Sequence, residues 1–532
     1  MRNFFCYILF FLFFYSYTVS AQDVFSRNYM IFNKKMIDIN SEFNILNNIN
    51  SDFHTSIRPL IEFRYDTSFY HTDIQSLFYK KLKNEDLYRI KGQGYNLKFN
   101  PIVNFEIGKE TSSDKILWVN TRGFYFKGNF RERFTFYSSF LENQSVFPKY
   151  ITNSVVAQTA WVVPGQGESR WSSDSLFDYA MASGNLSYKI SDFSSIQFGT
   201  GKHFIGDGYR SMILSDNSFN YPYLRINTNF GPFQYTNLYM EHIDMTSNPS
   251  QEYTYDRKYM SLHFLNINVN KRLHIGLFES IVWKNNRTPE ISGFDLAYLN
   301  PIIFLRPIEF SINSSDNALM GLNLKYKMTD RSYFYSQFVI DEFSLPDLNY
   351  DINWWGNKYA YQIGMKYYRF LGVNNLFVQI ENNFARPYTY SHSDVAQNYG
   401  HYFQSLAHPL GANFNEILLF LDYKYNAWEF HFQIMRAKYG TKKINDPTSF
   451  GDDIFISNSN RPSDNNILMY QGNMTKLNYN KFVISYTINS ITNLKLESGY
   501  VFRHLNNDDG NNITNFFFFA LKSDLFNRYY DF

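Results

Sequence analysis

From about residue 95 onward the side chains repeat with a period of two. In Trp428-Glu429-Phe430-His431-Phe432-Gln433-Ile434, apolar and polar positions alternate without a break. Leu322, Leu324, Tyr326 and Met328 alternate with Asn323, Lys325 and Lys327. Tyr359, Tyr361, Ile363, Met365 and Tyr367 alternate with Ala360, Gln362, Gly364 and Lys366. The same holds for Leu265, Ile267 and Val269 against Asn266, Asn268 and Asn270, and for Phe482, Ile484, Tyr486 and Ile488 against Val483, Ser485 and Thr487. Successive side chains of a strand point to opposite faces, so each run has one apolar, aromatic face and one bearing amides, hydroxyls and charges. A half-exposed soluble sheet shares this alternation, but length separates the two cases. Many runs reach about 9 to 11 residues, the span of a tilted transmembrane strand, whereas soluble strands average nearer about 5 or 6. Lipid forces such a sheet to close, because an open edge leaves backbone N–H and C=O groups unpaired. The pattern predicts an all-β, antiparallel transmembrane barrel of the outer-membrane type, with about 18 strands within a range of 16–18.

The connections support that reading. Asn426-Ala427, Thr329-Asp330 and Asn374-Asn375 read as tight turns, while long connections fall at about 141–181, 284–318, 385–415 and 435–478. Short turns at one end and long loops at the other are the usual asymmetry of such barrels. The stretch Phe526-Asn527-Arg528-Tyr529-Tyr530-Asp531-Phe532 finishes on an aromatic, which resembles the C-terminal signal read by outer-membrane assembly machinery. Alternation fails over residues 23–60, where Met36, Ile39, Phe43, Leu46 and Ile49 recur every three or four positions, as in a short amphipathic helix. Lys80, Lys81, Lys83, Glu85 and Asp86 read as a solvated turn.

Composition sharpens the assignment. Aromatics make up 20% of the chain, with 44 Tyr and 55 Phe, more than a soluble core requires and suited to a lipid face with two interfacial girdles. Arg2, the apolar run over residues 4–15 and Val19-Ser20-Ala21 before Gln22 form an export signal, too short for a spanning helix. The single cysteine, Cys6, lies inside that signal, so the remainder has neither disulfides nor thiolate metal sites. Net charge is +2 with acids and bases mixed, which argues against a nucleic-acid surface. The expected organisation is a signal peptide over 1–21, a partly helical periplasmic or plug segment over 22–60, and an outer-membrane barrel over 61–532.

Three dense motifs stand out: FGTGKHFIGDGYRSMILSDNSFNYPYLRINTNFGPFQY from Phe198 to Tyr235, FDLAYLNPIIFLRPIEFSINSSDNALMGLNLKYK from Phe294 to Lys327, and ARPYTYSHSDVAQNYGHYFQSLAHPLGANFNE from Ala385 to Glu416. They resemble the capsule-assembly Wzi family of outer-membrane barrels, and within it the gliding-motility RemB-like branch. The likeness spans roughly residues 50–532 and is strongest at GDGYRSMILSDN and at Asn300-Pro301-Ile302-Ile303-Phe304-Leu305-Arg306-Pro307. The resemblance implies an 18-stranded barrel with a small helical element and a non-enzymatic role at the cell surface. That role is to tether polysaccharide in the Wzi family and to support surface movement in the RemB-like branch. Its implied partners are outer-membrane lipid, surface polysaccharide and gliding-machinery proteins, with no cofactor.

The residues point to candidate sites. Lys202, His203, Asp207, Arg210, Asp216 and Asn217 crowd together with Gly199, Gly201, Gly206 and Gly208. Glycines permit sharp turns, so this segment can fold back as a salt-bridged constriction of the lumen, joined by Arg306, Glu309 and Asp316. A carbohydrate-contact surface is the other reading, since sugars take planar amides and carboxylates at their hydroxyls and aromatic faces at their apolar side. Asn220, Tyr221 and Tyr223, and Arg386, Tyr388, Tyr390 and Asn398, supply those groups. Gly199-Thr200-Gly201-Lys202 lacks the spacing of a phosphate loop, and His203 stands where a hydroxyl residue is required. His392, His401 and His408 have no common zinc-ligand spacing, which favours ordinary loop histidines over a metal site. There is no GxSxG elbow. The expected function is a non-enzymatic barrel that handles or anchors surface polysaccharide and supports gliding motility. The alternative is a diffusion porin for small solutes.

Overall fold

The computed structural model describes residues 54–60 and 76–532, apart from 84, 132, 159, 172–174, 247–254, 286–293, 303–315, 342–352, 443–445, 447 and 524. The expected signal, the helix near residues 36–49 and the candidates Arg306 and Glu309 lie outside the described residues.

Eighteen long strands close into one antiparallel barrel. In chain order they are β1 (Tyr95–Glu110), β2 (Ile116–Phe130), β3 (Phe134–Val146), β4 (Leu176–Lys189), β5 (Ser194–Gly201), β6 (Tyr221–Phe230), β7 (Phe233–Asp244), β8 (Asp256–Asn268) and β9 (Leu273–Lys284). There follow β10 (Asn317–Thr329), β11 (Ser332–Asp341), β12 (Lys358–Tyr368), β13 (Leu376–Ala385), β14 (Phe414–Tyr425), β15 (Trp428–Thr441), β16 (Asn473–Asn489), β17 (Leu494–Asn507) and β18 (Gly510–Ser523). Each pairs with the next, and β18 returns to β1 through Phe516 opposite Glu110 to Lys522 opposite Asn104. Closure leaves no edge in lipid.

The alternation sets the faces. Trp428, Leu322, Ile363, Phe482 and Phe519 point outward and are exposed, whereas Gln433, Asn323, Gln362, Val483 and Ser485 point inward and are buried. Exposed apolar side chains recur around the wall at Ile107, Phe124, Leu186, Phe198, Ile380 and Ile417, an arrangement suited to hydrocarbon. The turns at 131–133, 190–193, 231–232, 269–272, 330–331, 426–427 and 490–493 share one end, together with the longer connection 369–375. The Asn374-Asn375 turn is thus longer than the alternation suggested, because Phe370–Gly372 adds a turn of 3-10 helix. The long connections 147–175, 285–316, 386–413 and 442–472 all lie at the other end.

One further sequence reading is corrected. The lysine-rich segment expected as a solvated turn is a helix, Leu77–Lys83, and Asp86 beside it is buried, ion-paired with Lys98 at 3.2 Å and bonded by Asn100. The closing strand ends at Ser523, and residues 525–532 turn inward instead of prolonging it. Leu525 packs against Ile102, Tyr125, Leu141 and Met181.

Candidate functional site

The lumen is occupied by chain segments from several parts of the sequence. Residues 202–220, joining β5 to β6, drop inside the barrel, and Met212, Ile213 and Leu214 are wholly buried there. Residues 54–60 lie beside them: Ile57 and Arg58 pair antiparallel with Ile205 and Phe204. Residues 386–413 and 525–532 add to the filling, and Phe147, Ile151 and Val155 pack with Tyr530 against the inward Val119, Phe177 and Tyr179. The apolar cluster that unites these segments with the wall includes Ile57, Met212, Leu262, Leu319, Tyr390 and Leu406.

Polar side chains of the inner wall hold the 202–220 segment by its backbone. Glu381 accepts from the amides of Tyr209 at 2.7 Å and Arg210 at 3.0 Å, and from the Tyr335 hydroxyl at 2.7 Å. Gln337 accepts from the Met212 amide and donates to the Ile205 carbonyl. Gln362 donates to the Arg210 carbonyl at 2.8 Å. A Cβ added to Gly208 would sit 2.5 Å from the Gln362 oxygen and 2.6 Å from a Glu381 oxygen, so glycine permits this approach.

Charge is matched inside. Arg210 donates to Glu416 at 3.1 Å and pairs with Asp531 at 3.1 Å. Burial opposes the Arg210 charge, and the two carboxylates hold the guanidinium protonated. Glu416 also meets His408 Nε2 at 2.8 Å, and Asn383 donates to both Glu381 and Glu416. Asp207 pairs with Lys325 at 2.9 Å and accepts from Ser56. Burial works against the Asp207 charge, but the adjacent Lys325 ammonium holds its carboxyl well below the usual range. Lys202 donates to the Gly165 carbonyl, and burial pulls its ammonium down to about 8. Asp216 accepts from Tyr529 at 2.7 Å and Asn527 at 2.6 Å, tying 202–220 to residues 525–532. Asn217 donates to the Ser405 carbonyl.

The residues read as possible sugar contacts are buried and engaged with the protein. The Tyr221 hydroxyl accepts from the His203 amide, the Tyr223 hydroxyl donates to Gln197, and Asn220 donates to the Ala182 carbonyl. Tyr388 donates to Ser449, Tyr390 to Met212, and Asn398 accepts from Lys258. Arg386, the first residue after β13, is 7% exposed. Asp316 accepts from Tyr298 and Gln397 at the rim. His392 and Asp394 hydrogen-bond each other, and His401 bridges the Ile243 amide and the Asn220 carbonyl.

Two features were not singled out in the sequence. At the long-loop end the Arg461 guanidinium lies 3.8 Å from the centre of the Trp355 ring, with Trp354 and Tyr388 adjoining. Isolated in a polar stretch, this stack carries no periodic signal. Below the filling lies a cavity of about 360 Å³. Its roof includes Tyr209, Tyr529 and Asp531, and its lower lining includes Thr487, Ser490 and Asn493 beside a short turn. Lysines and carboxylates there are mutually paired, as in Lys495 with Glu429 and Lys522 with Glu497.

No family model and no curated protein matches the sequence. Among solved structures, the chain is similar to Wzi, an outer-membrane protein involved in group 1 capsule assembly in Escherichia coli and described as a carbohydrate-binding β-barrel. The TM-score is 0.53 at 11% identity, covering 93% of this chain and 99% of that one. OprD of Pseudomonas aeruginosa aligns with a TM-score of 0.43 at 9% identity over 83% of this chain and 96% of its own. For OccAB2 of Acinetobacter baumannii the values are 0.43, 11%, 81% and 99%. At these identities the likeness is one of fold. With its apolar outer wall, polar interior and uninterrupted strand pairing, the chain is an integral outer-membrane protein, a closed antiparallel β-barrel of 18 strands.

Proposed function

We propose that the protein is a non-enzymatic surface barrel that handles or anchors polysaccharide with its long loops. The observation that carries this reading is the packed lumen. A diffusion pore needs a continuous aqueous path, whereas here Arg210, Met212, Tyr390 and Leu406 are at most 1% exposed within the barrel. A barrel filled in this way offers its loops as the working surface. Since Tyr221, Tyr223, Tyr388 and Tyr390 are buried, the contact surface in this reading shifts outward to the half-buried Trp354, Trp355 and Arg461, which combine ring faces with hydrogen-bond donors. The carbohydrate binding described for Wzi is in keeping with this reading. Support of gliding motility rests on the sequence resemblance alone.

The porin reading draws on one observation, the cavity of about 360 Å³ reaching toward the short-turn end. Binding of purified surface polysaccharide to the detergent-folded protein, measured by calorimetry, separates the two. Saturable binding weakened by Trp355→Ala is expected. Absence of binding to any surface glycan of the source cell overturns the proposal.

A further inference from the structure

One sector of the outer wall departs from the apolar belt. On β2 and β3, Arg122 and Glu142 stand opposite each other in register and both point outward, exposed. They do not lie at the rim. Arg122 sits between Phe124, 43% exposed, and Ile116, 62% exposed, on its own strand, and Glu142 follows the exposed Phe140. Among the described residues, neither side chain forms a hydrogen bond or an ion pair. The next outward pair toward the long-loop end is also polar, Asn120 opposite Gln144, and the Asn120 Oδ1 atom is buried without a hydrogen-bond partner. On β4 the outward positions opposite Glu142 and Phe140 are Ala180 and Ala182.

Hydrocarbon offers nothing to these groups, and a charge on the lipid face of a barrel is destabilising in proportion to its depth. Lipid phosphate does not fit them, because the patch sets Arg122 against Glu142 and against the exposed Asp178, which stands on β4 opposite Gln144, and has no basic excess. A second copy of this chain does fit. Copies in one membrane are related by an axis along the membrane normal, which preserves depth, and a two-fold contact uses the same patch twice. Arg122 and Glu142 are neighbours in register and therefore lie at similar depth. Across a two-fold axis midway between β2 and β3, Arg122 of each copy faces Glu142 of the other, so the patch is complementary to itself. Ala180 and Ala182 let the walls approach closely, as small residues do at membrane interfaces.

We infer that the outward face of β2–β4 is a two-fold interface between copies of this protein in the membrane. The inference rests on the barrel and its register and is independent of the polysaccharide reading. The test uses the full chain, folded in mild detergent and in nanodiscs, with mass measured by light scattering and native mass spectrometry. The wild type is expected to be dimeric. Arg122→Glu places like charges across the axis, as does Glu142→Arg, and each alone should abolish the dimer while the barrel stays folded by heat-modifiable migration. Co-expressed with distinct tags, the two single variants should recover pairing with each other, because Glu at 122 then meets Arg at 142 of the other copy. Gln144→Cys, outward on β3 beside the axis, should cross-link to its own copy on oxidation, and Ile380→Cys, on a distant part of the wall, should not. A monomeric wild type in nanodiscs, single variants as dimeric as wild type, or cross-linking through Ile380→Cys alone would overturn the inference.

Discussion

Arg210 and Glu416 form a buried ion pair, 3.1 Å apart, between the inward segment and the wall strand β14, with 1% and 0% of their side chains exposed. The pair links two stretches far apart in sequence inside the barrel. Removing one partner of such a pair strands the other charge without water. Arg210→Ala should therefore lower stability by about 3–5 kcal/mol, where an exposed pair would be worth no more than about 1 kcal/mol. Arg210→Met combined with Glu416→Gln should cost less than Arg210→Ala, because no charge is left buried on Glu416. Denaturant-dependent tryptophan fluorescence of the detergent-folded variants measures both.

Gly208 touches the wall where a side chain has no room. Gly208→Val should push the segment away from Gln362 and Glu381, breaking the bonds they make to the Tyr209 and Arg210 backbone. Limited proteolysis is expected to cut the variant between residues 202 and 220 while the wild type resists. Equal resistance would mean that the segment tolerates the added volume.

The outward and inward parities should respond differently to charge. Ile380, 51% exposed at the middle of β13, faces lipid. Ile380→Arg should cost roughly 2–4 kcal/mol if it lies near the bilayer midplane. Asn104→Arg, on the inner wall of β1 where it lines the cavity, should cost clearly less. Folding titrations into lipid vesicles would show the contrast, and matching losses at both sites would contradict the register.

Acid should loosen the filling. Burial holds the His401 imidazole down at about 3, aided by Lys258 and Lys202 against the opposing bond to the Asn220 carbonyl. The unfolded chain has the ordinary histidine value near about 6.5. Between these values the unfolded state binds the extra proton, so stability is full above pH of about 6.5 and falls as the pH drops toward about 3, by at most about 1.4 kcal/mol per pH unit. His401→Gln should flatten the loss of melting temperature over this range. His203 and His408, also held below the usual range, add to this slope, as does Asp207, whose carboxyl is held below its own usual value.

The barrel was legible in the sequence because its signal is local. Leu322, Leu324 and Tyr326 against Asn323 and Lys325 reveal both faces of β10 without knowledge of any partner strand. The strand count followed for the same reason. The interior was less legible. The glycines and charges from Gly199 to Asn217 mark an unusual segment, but Glu381, Gln337 and Gln362 look like any other inward polar position until the barrel closes. Asp531 lies beyond the last strand, where alternation says nothing, so its bond to Arg210 belongs to tertiary structure alone. Tyr388 and Tyr390 show the opposite failure: residue types suited to sugar contact were spent on internal hydrogen bonds, because the loop that carries them folds inward.

The packed lumen is the claim on which the functional reading depends, and single-channel recording tests it most directly. The full chain, folded and inserted into a planar bilayer at neutral pH, should raise no steady ohmic current above the bare membrane. Discrete, long-lived conductance steps on each insertion, of the size expected from an unfilled barrel of this strand number, would contradict the account.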